Sequence, residues 1–347
     1  MPSISVVTSV YNCEEYIAET IESVISQSFL DWEYILIDDC STDGSADIIQ
    51  SYAQNDSRIV FIRNEKNMGQ SYNLNYGIKI SKGKYIARLD HDDLCRRDRL
   101  YKQYYYMENN PQTVLVGGDF SYLRNGYETP NRKRVTNDNE VKFLAAFGIQ
   151  CTAHSAFFIR KEAMIKHNIW YRPFEYSEDY GLYTELMCIG TVHILEDDLI
   201  VYRDYDGNTT SKTSEQLRYS EMKEIICRYL GIINVDGYPI IERAIQGSLN
   251  TITDYRRLIK WIRDYAEFCN IPINRNGINW SVRFAFYNLM IWQQGSIRAF
   301  GVYMISGLGY GIRHIDYDLK MLKHCLIKNK KRLLWFSGFE FFEKGKE

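Results

Sequence analysis

Short apolar runs alternate with helix-spaced apolar positions over the first hundred residues. Ile4-Ser5-Val6-Val7-Thr8-Ser9-Val10 is compact and rich in β-branched residues, the pattern of a buried strand. Ile17, Ile21, Val24 and Ile25 then recur at the spacing of one helix face. Tyr34 to Ile37 predicts a second strand ending at Asp38-Asp39, Ile59 to Ile62 a third, and Lys84 to Leu89 a fourth that stops at Asp90-His91-Asp92-Asp93. Ser41-Thr42-Asp43-Gly44 offers turn and cap chemistry for a helix through Ile48 and Ile49, and Asn67-Met68-Gly69 turns into a helix ending near Ile80. This βαβαβαβ order predicts an α/β, Rossmann-like fold: a mostly parallel sheet flanked by helices. Ligands of such sheets bind beyond the carboxyl ends of the strands. Tyr11-Asn12, Asp38-Asp39 and the run from Asp90 to Asp93 all fall there. Any one of these clusters reads equally well as a turn or helix cap; together they predict one crevice.

After Asn109 the pattern is mixed. Thr113 to Gly117 and Ala156 to Arg160 are strand-like, Asn139 to Phe147 and Lys161 to Asn168 helix-like. Ser177-Glu178-Asp179 precedes a helical run to Cys188, and Leu199 to Arg203 is strand-like again. The polar stretch Asp206 to Ser211 marks a domain edge. From Ser214 onward the pattern is mainly helical, with turn signals at Gly231, Gly237-Tyr238-Pro239, Ile271-Pro272 and Gly277. The expected organisation is a unit over 1–212, with halves at about 1–105 and 106–212, followed by a helical region over 213–347.

Composition narrows the classes. With 45% hydrophobic and 25% charged residues the chain is ordinary globular protein, and a net charge of -2 gives no basic field for nucleic acid. The eight cysteines are scattered without a C-x-x-C, which argues against a zinc site or disulfide framework and for reduced thiols. The strand-like start carries no signal-peptide pattern, and the longest apolar stretch, near Ala299 to Ile312, is too short to span a bilayer. A cytoplasmic protein is expected. No G-x-G-x-x-G follows the first strand and no P-loop motif occurs, so a nicotinamide dehydrogenase or P-loop enzyme is excluded.

Candidate chemistry concentrates in Leu89-Asp90-His91-Asp92-Asp93. Three carboxylates so close repel one another unless a cation or hydrogen-bond donors compensate. Oxygen-only ligands suit a hard ion such as Mg²⁺ or Mn²⁺. The competing reading is a solvated acidic turn capping the helix that begins near Arg97.

Ser5-Val6-Val7-Thr8-Ser9-Val10-Tyr11-Asn12, Ile37-Asp38-Asp39-Cys40-Ser41-Thr42-Asp43-Gly44-Ser45, Asn67-Met68-Gly69, Gly83-Lys84-Tyr85-Ile86 and Leu89-Asp90-His91-Asp92-Asp93 occur in order. Together they resemble glycosyltransferase family 2, inverting enzymes of the GT-A fold. The resemblance covers residues 3–100 closely and extends with fewer matches to about 211. It implies a nucleotide-sugar donor, a UDP-sugar before a dTDP-sugar, and an acceptor hydroxyl on a glycan or lipid-linked saccharide in cell-surface polysaccharide or glycoconjugate synthesis. It further implies that Thr8 and Tyr11 line the base pocket, with Asn12, Asn67 and Gly69 in the donor-binding loops. Asp39 would accept from the uracil ring N–H, Asp90 would hold the ribose or help the metal, and Asp92 would bind Mn²⁺ or Mg²⁺ as the aspartate of the D-x-D motif. Arg88 is a candidate nucleotide contact. Asp179 matches the general base of the family's E-D element, with Glu178 beside it, and His154 falls at an acceptor-side position, where a buried, satisfied histidine is the competing reading.

Two departures from the family pattern stand out. Tyr202-Arg203-Asp204-Tyr205 replaces Y-R-x-H, which puts a second protein metal ligand in doubt. No Q-x-x-R-W follows Asp179, which points to single-sugar addition rather than polymer synthesis. The tail from Lys320 to Glu347 sets Lys328, Lys330, Lys331 and Arg332 beside Trp335, Phe336 and Phe339, a composition suited to the inner membrane face, to packing on the body or to a homo-oligomer contact. The rival functions are a sugar nucleotidyltransferase, which would open with a glycine-rich basic loop where this turn is acidic, and a non-catalytic nucleotide-sugar or partner-binding module.

Overall fold

The computed structural model describes residues 1–131, 138–205, 214–232, 238–245, 249, 252–271, 273–274 and 277–278. The chain divides into two compact units, Met1–Asn234 and Val235–Glu347.

In the first unit, β1 (Ile4–Val10), β2 (Trp32–Asp38), β3 (Ile59–Arg63) and β4 (Tyr85–Arg88) form a parallel sheet in the order β3-β2-β1-β4. Every residue of β1 and β2 is buried, as a parallel sheet covered on both faces requires. The covering helices include α1 (Ile17–Ile25), α2 (Ser45–Asn55) and α3 (Gln70–Ile80). α1 buries Ile17, Ile21 and Val24, three of the four residues whose spacing predicted it. α3 lies so close to the sheet at Gly77 that an added Cβ would come within 2.6 Å of the Val7 side chain. Because β1 to β4 run the same way, Val10, Asp38, Arg63 and Arg88 end on one edge, and the polar clusters that follow them gather there.

The sheet continues through β8 (Phe158–Arg160), β6 (Thr113–Arg124), β9 (Thr191–Arg203) and β5 (Leu94–Cys95), with β7 (Tyr127–Asn131) paired to β6. β8 is antiparallel to both β4 and β6, whereas β6 and β9 are parallel. The parallel order expected from the first hundred residues thus holds there and gives way to a mixed sheet beyond. α4 (Arg99–Asn109), α5 (Asp138–Ala145), α6 (Lys161–His167) and α7 (Glu178–Met187) complete this part. β5 and β7 have no counterpart in the apolar pattern: the first is two residues long, and the second is a largely exposed polar strand. β7 joins β6 through Asn125-Gly126, both at positive φ, the chemistry of a tight hairpin.

Helix α8 (Glu215–Ile232) belongs to the first unit, so the unit runs past the boundary expected at 212. The reason is packing. Ile225, Ile226, Tyr229 and Leu230 are buried, and the Tyr229 hydroxyl donates to the Lys142 carbonyl at 3.1 Å. The domain edge expected at Asp206 to Ser211 lies outside the described residues. In the second unit, α9 (Tyr238–Ile245) and α10 (Ile252–Phe268) precede a short hairpin of β10 (Ile273–Asn274) and β11 (Gly277–Ile278). Arg243 and Asp254 tie the two helices at 2.9 Å. The apolar stretch near Ala299 to Ile312 and the basic–aromatic tail from Lys320 lie outside the described residues. No described helix is long and apolar enough to cross a membrane.

Candidate active site

The loops after the first three strands are tied together by side chains. Asn12, at φ 48°, accepts from the Thr42 backbone N–H at 2.8 Å, and its own N–H donates to the Ser41 hydroxyl at 3.0 Å. Tyr11, next to it, is 46% exposed. Asp39 is buried and accepts three hydrogen bonds, from the Met68 and Gly69 N–H groups and the Asn64 amide, at 2.8, 2.9 and 2.8 Å. A carboxylate has about four acceptor positions, so one is left over. Gly69 sits at φ 85°, ψ 154°, a conformation essentially confined to glycine, and Asn67 is exposed on the same turn. Asn64 also donates to Asn73 at 2.8 Å, and Asn73 to the Ser9 hydroxyl at 3.0 Å. The Ser9 carbonyl bonds His91 Nδ1 at 3.1 Å; since a carbonyl only accepts, Nδ1 carries the proton. A continuous chain of contacts therefore runs from Asp39 to the acid cluster.

Thr8 does not join this group. Its side chain is fully buried, and its hydroxyl is committed to the Leu89 carbonyl at 2.8 Å and Tyr34 at 3.0 Å. It is a core position that locks β1 to the chain after β4, on a strand whose every residue is buried.

In the acid run each carboxylate has a different balance. Asp90 is ion-paired with the buried Arg88 guanidinium and accepts from the Ser155 hydroxyl at 2.7 Å. Burial pushes its carboxyl up, but Arg88 outweighs this and holds it well below the ordinary carboxylate range. Asp93 is buried, lies within hydrogen-bond reach of the same Ser155 hydroxyl, accepts from the Arg203 N–H at 3.0 Å, and is driven well above its ordinary value by burial and by Asp92 and Asp90. Asp92 pairs with no cation among the described residues. It accepts from the Tyr205 hydroxyl at 3.0 Å, and its carboxyl is raised by burial and by the Asp90 charge against the opposing pull of His91. Tyr205, the residue standing where the family pattern has histidine, therefore reaches Asp92. Its own phenol is pushed up by burial and by Asp92, so it donates. Among the described residues no group of three or more His, Cys, Asp or Glu is arranged to hold a metal ion. An uncompensated carboxylate with oxygen neighbours fits a hard cation that draws its other ligands from elsewhere.

The second acidic pair opens helix α7. Asp179 accepts from the Gln150 side chain at 3.0 Å and from the Tyr180 N–H at 2.6 Å, yet burial raises its carboxyl above the ordinary value, with the Asp90 charge adding to the shift. Glu178 is pushed well above its ordinary value by burial and then by Asp179. The Arg88 charge lowers both and the Asp90 charge raises both. The end of β4 and the start of α7 are both joined to the segment 150–155, Ser155 bonding Asp90 at 2.7 Å and Gln150 bonding Asp179 at 3.0 Å. On the same segment His154 has its Nε2 bonded to the Tyr171 hydroxyl at 2.8 Å. Burial, then Arg88, depresses the imidazole to about 3, so it is neutral.

Arg88, Asp90, His154, Glu178 and Asp179 thus come together, with Asp92 beside Asp90, and Tyr11, Asn12, Asp39, Asn67 and Gly69 on adjoining loops. Ser155, Gln150, Asn64 and Asn73 join them with no motif in the sequence to announce it. Two surface clefts, about 380 Å³ beside Gly83 and Lys161 and about 260 Å³ beside Tyr101 and Tyr105, are lined by none of these residues.

The chain has known relatives. The family model described as glycosyl transferase family 2 matches residues 5–168. The chain is 40% identical over 246 residues to an Escherichia coli protein named UDP-Glc:alpha-D-GlcNAc-diphosphoundecaprenol beta-1,3-glucosyltransferase WfaP, covering 67% of this chain and 94% of that one. It is 33% identical over 229 residues to the uncharacterized glycosyltransferase MJ1057 of Methanocaldococcus jannaschii, covering 63% of this chain and 77% of that one. Among solved structures, residues 1–349 of S. aureus TarS in complex with UDP-GlcNAc share the fold, with a TM-score of 0.59 at 16% identity over 95% of this chain and 92% of that one. The fold is that of the GT-A glycosyltransferases, and the chain belongs to glycosyl transferase family 2.

Proposed function

We propose that the protein is an inverting glycosyltransferase that adds one sugar from a UDP-sugar to a hydroxyl of a lipid-linked saccharide. The observation that carries the reading is that one short segment bonds two acidic clusters of opposite charge balance: Ser155 donates to Asp90, which is paired with Arg88, and Gln150 donates to Asp179, which has no cation among the described residues. The first donor and acceptor to test are UDP-glucose and an N-acetylglucosaminyl diphospholipid, by likeness to the E. coli relative. Such an acceptor would bring the protein to a membrane surface.

In this reading the diphosphate lies beyond the strand ends. The Tyr11 ring offers a face to uracil, and the acceptor position left on Asp39 takes the ring N–H. Asp92, with Asp90 beside it, would hold Mn²⁺ or Mg²⁺, which when bound neutralises charge on the departing diphosphate. Tyr205 holds one oxygen of Asp92. Asp179 takes the proton from the acceptor hydroxyl, and Gln150 fixes the carboxylate's orientation. The hydroxyl oxygen bonds to the anomeric carbon as the bond from that carbon to the diphosphate oxygen breaks on the opposite face, so configuration inverts. The diphosphate leaves unprotonated, and one base suffices.

A thermal-stability screen with UDP-glucose, UDP-N-acetylglucosamine, dTDP-glucose and GDP-mannose tests the donor class. Ligand at about 100 times its Kd stabilises by about 2.7 kcal/mol. The expected result is a rise in Tm with a UDP-sugar that depends on Mn²⁺; no rise with any of the four would overturn the reading.

A further inference from the structure

The helix that presents Glu178 and Asp179 is not capped by its own N-cap residue. Ser177, at the N-cap position of α7, makes no side-chain capping bond, and its hydroxyl is buried without a partner among the described residues. Three consecutive backbone N–H groups before the helix, those of Glu175, Tyr176 and Ser177, donate instead to a single carboxylate. That carboxylate is Glu221 on α8, 8% exposed, at 2.7, 3.1 and 2.9 Å. A second contact further along keeps the two helices in register: Glu185 of α7 bonds Arg228 of α8 at 3.3 Å and Arg172 at 2.7 Å. Gly181 completes the fit, since a Cβ there would meet Phe174 at 3.2 Å and Ile225 of α8 at 3.8 Å.

A buried carboxylate that satisfies three amide donors holds them more tightly than neutral acceptors would. Removing it leaves three N–H groups to find other partners, and the turn that carries Asp179 moves with them. We propose that Glu221 is a positioning residue for transfer: by gripping residues 175–177 it sets where Asp179 points, and so couples α8, which lies beyond the matched family region, to turnover. The inference rests on Asp179 acting as the base.

The test is a double-mutant cycle of Glu221→Gln and Asp179→Asn. UDP release from UDP-glucose is followed with Mn²⁺ and a synthetic N-acetylglucosaminyl diphospholipid, and UDP-glucose affinity is measured by calorimetry. A misplaced catalytic group can cost about 10²-fold. The Glu221→Gln variant is expected to lose at least ~10-fold in kcat with donor affinity within about twofold. In the Asp179→Asn background the same change should cost less than about twofold, because the group it positions is already gone. Equal losses in both backgrounds, or wild-type kcat in the single variant, would overturn the proposal. Wild-type turnover of Asp179→Asn alone would instead bring down the base assignment, and this inference with it. Should Glu221→Gln fail to fold, Glu221→Asp keeps the charge and withdraws it by one methylene. It is read by the same cycle and by amide exchange at residues 175–177, which should quicken; unchanged exchange and kcat would overturn the proposal.

Discussion

The two acidic clusters of the first unit handle charge in opposite ways. At the end of β4, Asp90 is neutralised by a buried guanidinium and stays ionised. At the start of α7, Asp179 has a side-chain amide and a backbone N–H but no cation among the described residues, and burial raises its carboxyl. A carboxylate held ionised is suited to anchoring a ligand or ion, and one raised toward the working pH is suited to exchanging a proton. Asp92 belongs with the uncompensated group by charge and with Asp90 by position.

The contrast can be broken most severely at Asp179. Asp179→Asn should lower kcat by at least ~10²-fold while leaving UDP-glucose affinity near wild type. Paired calorimetry and UDP-release assays separate the two. Asp92→Ala should act on the other side, reducing Mn²⁺-dependent UDP affinity at least ~10-fold with little change in Mn²⁺-free binding. Turnover in the wild type should rise with pH through a limb set by Asp179. Because its carboxyl is raised, that limb lies above the ordinary aspartate value of about 3.9, and kcat falls about tenfold per pH unit below it as the base is protonated. A kcat–pH profile locates the limb; one at or under the ordinary value would contradict the assignment. Smallest is the effect of Gly69→Ala. With no atom within 4 Å of the new Cβ, only the backbone conformation resists it, at about 1–3 kcal/mol in thermal unfolding.

The legibility of these two clusters from sequence was unequal. Strands β1 to β4 and the helices between them are local, strongly apolar patterns, so their edge and the acids on it could be placed in advance. The Asp179 site is assembled from parts far apart in the chain: Gln150 is held near it by the loop before β8, and Glu221 reaches it from α8. No spacing links 150, 179 and 221, and each bond depends on tertiary packing. Thr8 shows the converse. It sits inside a matched motif, yet it lies in a strand buried on both faces, and its hydroxyl serves Leu89 and Tyr34. Tyr205 was legible only as a departure from a pattern; its bond to Asp92 gives that departure a physical meaning.

The central claim is that a diphosphate-anchoring acid group and a proton-accepting one share a single crevice. A crystal structure with UDP-glucose and Mn²⁺ tests it most directly. The expected complex has the diphosphate at Asp92 and the anomeric carbon's open face turned toward the Asp179 carboxylate. A sugar lodged elsewhere, with Asp179 remote from the anomeric carbon, would contradict it.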